Sequence, residues 1–190
     1  MRVAPPALLV TALALGACGP RAPASPVIPE LTLVDTAGGT TTVPDDLARA
    51  KVTVVVFYAE HCPCFSVHEA RLRELVRAYA DRGVRVILVD SEVSATRERD
   101  ARAAAERGLP AIALDPGGKL ADALGADYAT FTVVFDAQGR VRYRGGIDSD
   151  KARLNDDAAA YVRNAVDDLL AGREPRTPEG KALGCALQKR

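Results

Sequence analysis

Cys62 and Cys64 stand one residue apart, with Pro63 between them, at the end of the run Val52-Thr53-Val54-Val55-Val56-Phe57-Tyr58-Ala59. Two thiols at that spacing can close a disulfide, because their Cα atoms can come within the ~4.4 to 6.8 Å that the bond requires, but the ring is small and strained. Strain raises the reduction potential, so the disulfide should be an oxidising one. The β-branched run reads as a buried strand, and helical periodicity begins just after Cys64, which places both thiols at a helix N-terminus. Unpaired N–H groups and the helix dipole favour thiolate there, the species that attacks disulfides and peroxides and binds soft metals. Pro63 biases Cys62 away from helical dihedrals and puts Cys64 in the first turn.

Three further groups lie close enough in sequence to handle protons for these thiols: Glu60, His61 and His68. His68 follows Cys64 by one turn, on a stripe with Leu72, Leu75, Val76 and Tyr79. It can stabilise the Cys64 thiolate or be a satisfied core residue. Cys62 and Cys64 with His61 or His68 also make a soft donor set suited to Cu(I).

Among 190 residues, Lys plus Arg equals Asp plus Glu at 25 each, and no long block carries one sign, so no nucleic-acid or polyanion partner is indicated. Residues 1–17 read as an export leader: a basic start, then a run from Ala4 to Ala17 too short and too weakly apolar to span a membrane, with small residues before Cys18. Residues 18–29, rich in Pro, Ala and Ser, read as an extended tether. An exported setting leaves Cys62, Cys64 and Cys185, an odd number, in which Cys185 is a third redox thiol or packs as a small apolar residue.

Residues 30–172 carry the pattern of one α/β domain. A hairpin at Leu31 to Val43 precedes the buried strand, and the helix after the thiols ends by Gly83. Val84 to Val89 is the next strand, and Ser94 caps a helix running to Arg107. Strands at 111–114, 131–135 and 140–144 follow, with a turn at Asp136 to Gly139 and a helix from about Asn155 to Ala171. The βαβ order implies a sheet at least partly parallel, flanked by helices. Residues 173–190 hold Pro175, Pro178, Gly180 and Gly184 and read as an irregular strap carrying Cys185.

The segment Phe57-Tyr58-Ala59-Glu60-His61-Cys62-Pro63-Cys64 resembles the active site of thioredoxins, with one residue fewer between the cysteines. Asp115-Pro116-Gly117, Phe135 to Val141, Tyr143-Arg144-Gly145, Ile147-Asp148 and Gly184-Cys185 are similar to features of exported redoxin-type proteins. The resemblance implies a thioredoxin-like fold, a central mixed sheet flanked by helices and extended by an N-terminal β-hairpin. It implies thiol-disulfide exchange with protein thiols, disulfides or a reductase partner, without a cofactor, with Cys62 the exposed nucleophile and Cys64 the resolving thiol. Two departures stand out: Val56 replaces a buried carboxylate, and Thr130 occupies the place of a cis-proline, which should open the site. The alternatives are copper capture of the Sco type through Cys62, Cys64 and His68, and peroxide reduction, although the peroxiredoxin signature of Pro and Thr before the cysteine is absent. Leu15-Gly16-Ala17-Cys18 resembles a bacterial lipoprotein signal, implying acylation of Cys18, an extracytoplasmic position and, since Gly19 is not aspartate, an outer-membrane anchor.

Overall fold

The chain enters its sheet by a hairpin, β1 (Leu31–Asp35) and β2 (Thr40–Val43), closed by a turn in which the Asp35 carboxylate accepts the N–H groups of Ala37 and Gly39. In this computed structural model residues 26–189 are described; the leader, Cys18 and the tether up to residue 25 lie outside the described residues. A short 3₁₀ turn (Asp45–Ala48) leads into β3 (Val52–Tyr58), buried at all seven positions. Helix α1 (Pro63–Tyr79), β4 (Val84–Asp90), α2 (Arg97–Arg107), β5 (Ile112–Leu114), α3 (Lys119–Leu124), β6 (Thr132–Asp136), β7 (Val141–Gly145) and α4 (Tyr161–Leu170) follow.

The strands make one seven-stranded mixed sheet in the order β2-β1-β5-β4-β3-β6-β7. β3 runs parallel to β4 over its whole length, Val52 against Val84 and Tyr58 against Asp90, and antiparallel to β6 on its other side. A strand with neighbours on both edges and apolar cover on both faces has to read as a continuous apolar run, as Val52 to Tyr58 does. This is the thioredoxin-like arrangement expected from the sequence, and the N-terminal hairpin extends the sheet beyond β5. Among the described residues no helix is long and apolar enough to cross a membrane.

Two local expectations are corrected. The cap of α2 is Thr96, whose hydroxyl accepts the Arg99 N–H, while the Ser94 hydroxyl and carbonyl accept from the Arg99 guanidinium instead. Helix α4 begins at Tyr161, not near Asn155, because the Asn155 side chain and N–H are committed to Asp150. The strap is irregular but bound: Glu179 bridges Arg144 at the end of β7, and Ala186 bridges Tyr128 ahead of β6.

Candidate redox site

Cys62 is the N-cap of α1, extended at φ −89° and ψ 108°, with Pro63 in the first helical position. Its Sγ accepts the backbone N–H of Phe65 at 3.4 Å, one of the helix-end donors that otherwise lack a partner. Phe65 is fixed by an edge-on contact with Tyr58 at the end of β3, 4.9 Å between ring centroids. The strand thus sets the helix end, and the helix end aims a donor at the sulfur. A second N–H, from Cys185, reaches the same sulfur at 3.4 Å. Cys62 Sγ is therefore the sulfur best provided with hydrogen-bond donors for negative charge.

The three thiols converge. The Sγ atoms of Cys62, Cys64 and Cys185 all lie within 4.8 Å of one another, and all three cysteines are free. Cys62 is 1% exposed and Cys64 7%, so the expectation of an exposed Cys62 is corrected: the strap lies over it, and Cys185 is the least buried of the three. Burial, then the charge of Cys62, pushes the Cys64 thiol up; Lys151 acts in the opposite sense. Burial, then the hydrogen bond and charge of Cys62, pushes the Cys185 thiol up to about 12. Negative charge on Cys62 therefore opposes ionisation of the other two thiols.

The strap reaches the site through one isolated antiparallel bridge. Ala129 N–H donates to the Cys185 carbonyl at 2.9 Å, Leu187 N–H to the Asp127 carbonyl at 2.9 Å, and Ala186 bridges Tyr128 in antiparallel sense. Cys185 and Leu187 face the domain while Ala186 is exposed, the alternation of a strand. Gly184 is required by close approach: a Cβ there would land inside the Ala129 carbonyl oxygen. Beyond the bridge, Val93 N–H donates to the Gln188 carbonyl at 2.7 Å and Lys189 Nζ pairs with Asp122 at 2.7 Å and Asp127 at 3.1 Å.

Thr130, at the cis-proline place, is buried and left-handed at φ 72°, its N–H donating to the Phe57 carbonyl at 2.9 Å. The site expected to be open beside it is filled, because the strap pairs with the residue just before Thr130. Glu60 is held by the Tyr58 hydroxyl and by Arg107, 2.9 Å away, and His61 lies exposed on the turn before Cys62.

His68 does not turn to the thiols. Its Nδ1 lies 2.6 Å from the Cys64 carbonyl and its Nε2 3.0 Å from Asp148 Oδ1. Both neighbours accept only, so both ring nitrogens donate and the ring is an imidazolium. Burial pulls the His68 pKa down, but the Asp148 and Cys64 hydrogen bonds outweigh it and the net direction is up. Asp148, which burial alone would raise, is held below the usual carboxylate range by His68 and Arg71, the latter 2.5 Å from Oδ2. The cluster of three metal-ligating side chains among the described residues is Cys62, Cys64 and Cys185, so the copper set expected with His68 is corrected to one of three sulfurs.

Sequence reading missed the roles of Asp148, Arg71 and Lys151, and left Cys185 open between a third redox thiol and a packing residue; the structure brings it to the other two sulfurs. It also missed a buried carboxylate elsewhere: Asp90, at the end of β4, is raised to about 7 by burial first, with Asp100 adding and Glu92 N–H and Arg99 opposing. The Gly184-Cys185 pair was the one available signal for the strap.

The Redoxin family model matches residues 22–161. A conserved protein of Geobacillus kaustophilus, described as uncharacterized, superposes with a TM-score of 0.79 at 23% identity, covering 88% of this chain and 93% of its own. A hypothetical protein from Sinorhizobium meliloti 1021 gives 0.79 at 22% identity, over 90% of this chain and 97% of its own. The thioredoxin domain of a thiol-disulfide oxidoreductase from Bacteroides vulgatus gives 0.52 at 18%, over 65% and 89%. At these identities the likeness is one of fold. No curated protein matches the sequence.

Proposed function

Because the chain belongs to the Redoxin family, we propose that it is a thiol-disulfide oxidoreductase acting on protein thiols and disulfides outside the cytoplasm, with Cys62 as its central sulfur. The observation that carries this reading is the convergence of two backbone N–H groups on Cys62 Sγ with two other sulfurs within 4.8 Å. A sulfur so provided is a good leaving group, and a neighbouring thiol at that distance needs only small side-chain movement to form a disulfide. Cys64 serves as the resolving thiol or the store of the second electron equivalent.

The leader and the Leu15-Gly16-Ala17-Cys18 box support secretion and acylation at Cys18, and hence an extracytoplasmic domain tethered to a membrane, with the outer membrane favoured by Gly19. Membrane fractionation with Cys18→Ala tests that part: the variant should lose its acyl label and leave the membrane fraction, and a variant still acylated and membrane-bound contradicts the anchor.

Insulin reduction by the full chain with dithiothreitol tests the redox part. Catalysis above the uncatalysed rate that Cys62→Ser abolishes is the expected result; an equal rate with and without the protein contradicts it. A second reading, Cu(I) capture, rests on the three soft sulfurs, a donor set that would hold Cu(I) through Cys62, Cys64 and Cys185. A Cu(I) titration against a thiol buffer decides it: stoichiometric binding lost in Cys185→Ser puts copper first, and no binding removes it.

A further inference from the structure

We propose that Cys185, carried on a bridged segment of the chain's own tail, is the thiol through which the protein meets its external partner, in disulfide exchange with the buried Cys62. The inference rests on the redox reading of Cys62 and assigns the contact with the partner to another residue. Cys62 and Cys64 are buried, 1% and 7% exposed, while Cys185 lies above them and is the least buried of the three. All three sulfurs are within 4.8 Å of one another.

The strap that delivers Cys185 is built for the position. Residues 185–187 pair antiparallel with residues 127–129 through two 2.9 Å bonds, Gly184 passes against Ala129 where no side chain fits, and Lys189 clamps the end to Asp122 and Asp127. An extended partner polypeptide seeking Cys62 directly would need that same backbone edge, which the strap already holds. The shortest route for electrons into the buried pair is therefore through Cys185.

The exchange balances without a further oxidant. In the oxidised protein a Cys62–Cys185 disulfide presents the Cys185 sulfur outward. A partner thiolate attacks that sulfur, the Cys62–Cys185 bond breaks, and its electron pair leaves on Cys62 Sγ, facing the Phe65 N–H. A second partner thiolate then attacks the partner sulfur of the mixed disulfide; the partner disulfide forms, and Cys185 leaves as thiolate and takes up a proton. Two partner thiols become one disulfide while one protein disulfide becomes two thiols. Run backwards, the same steps reduce a partner disulfide and reoxidise the protein. Attack at the outer sulfur with Cys62 as leaving group is the faster choice, since the better-stabilised thiolate leaves faster. Cys64, within reach of both, can take Cys62 back into the small ring and free Cys185.

The test is disulfide mapping of the reduced full chain after one equivalent of glutathione disulfide, acid quench, alkylation and trypsin. The expected product joins peptide 52–71, which holds Cys62 and Cys64, to peptide 182–189, which holds Cys185. The joined pair should persist in Cys64→Ser, where Cys62 is the one sulfur in peptide 52–71 that can hold Cys185. In insulin reduction Cys185→Ser should be slower by about tenfold or more, the cost of forcing exchange onto a covered sulfur. Absence of the joined peptides overturns the proposal, and so does a Cys185→Ser rate equal to that of the native chain. If no disulfide forms on any pair and insulin is not reduced by any version, the redox reading of the site fails as well, which is a distinct outcome from a working Cys62–Cys64 couple that ignores Cys185.

Discussion

The helix end that holds Cys62 and the strap that holds Cys185 meet at one cluster of sulfurs but are stabilised differently. Cys62 is secured within a few residues of itself: its N–H donates to the Ala59 carbonyl at 3.3 Å, its sulfur caps Phe65, and its carbonyl takes the Ser66 N–H at 3.0 Å. One turn further on, His68 ties the Cys64 carbonyl to Asp148 and thence to Arg71, so the first turn of α1 is braced from beneath. Cys185 has no such support of its own. It is held by two strand hydrogen bonds, a close approach at Gly184 and a lysine clamp, contacts made with residues some sixty positions away in sequence. The helix end lies within the core, whereas the strap is held by a few backbone bonds, its lysine clamp and one core residue, Leu187, and is the part expected to release first. A site assembled from one rigid and one detachable part can react at the detachable part and store charge at the rigid one.

The contrast can be broken first at its chemical centre. Cys62→Ser should bring insulin reduction down to the uncatalysed rate, with the fold preserved by circular dichroism because serine also caps helices. A rate near that of the native chain would move the chemistry to another sulfur.

The brace beneath the helix end comes next. Asp148→Asn leaves the His68 imidazolium and Arg71 without their buried partner and should destabilise by about 3 kcal/mol in urea unfolding. The pH profile sharpens the point. His68 binds its proton more tightly folded than unfolded, so its contribution is complete below about pH 6.5 and is lost as pH rises through its raised folded value. Asp148 is held low, so its contribution is present above about pH 4 and lost as pH falls through its folded value. The pair is therefore strongest between those limits, and the decline in stability above about pH 6.5 should flatten in Asp148→Asn. An unchanged slope would show that another group sets it.

On the detachable side, Gly184→Ala drives a Cβ into Ala129 and should lift the strap, costing about 1 to 2 kcal/mol. Alkylation of Cys62 and Cys64 should quicken while the urea-unfolding m-value holds. Loss of cooperative unfolding in that variant would contradict a strap that detaches on its own. The smallest effect belongs to a helix cap that touches no sulfur: Thr96→Ala should cost about 1 kcal/mol of stability and leave thiol reactivity as it was.

The same division explains what could be read from the chain. The run Val52 to Tyr58, Pro63 after Cys62 and the stripe of α1 are local patterns with one physical solution, so the central strand, the helix cap and the paired thiols were legible. His68 was legible as a residue on the core stripe but not as an imidazolium, because its partner Asp148 is eighty positions away and only the fold brings it there. Thr130 marked the right place, yet nothing in its own neighbourhood says that residues 185–187 will lie beside it. Irregular segments docked by backbone bonds leave almost no side-chain pattern; Gly184 is the trace, since close approach excludes every other residue. The start of α4 was misjudged because a favourable helical window lost to the Asn155 side chain binding Asp150.

The most direct measurement of the account is a redox titration of the full chain in thiol buffers, from dithiothreitol to glutathione, counting free thiols at each poise. Two thiols should vanish together in a single two-electron step, at a potential nearer the glutathione couple than that of dithiothreitol, and Cys62→Ser should abolish that step. Thiols that all persist across the whole range, or a step that survives Cys62→Ser unchanged, would contradict a redox site centred on Cys62.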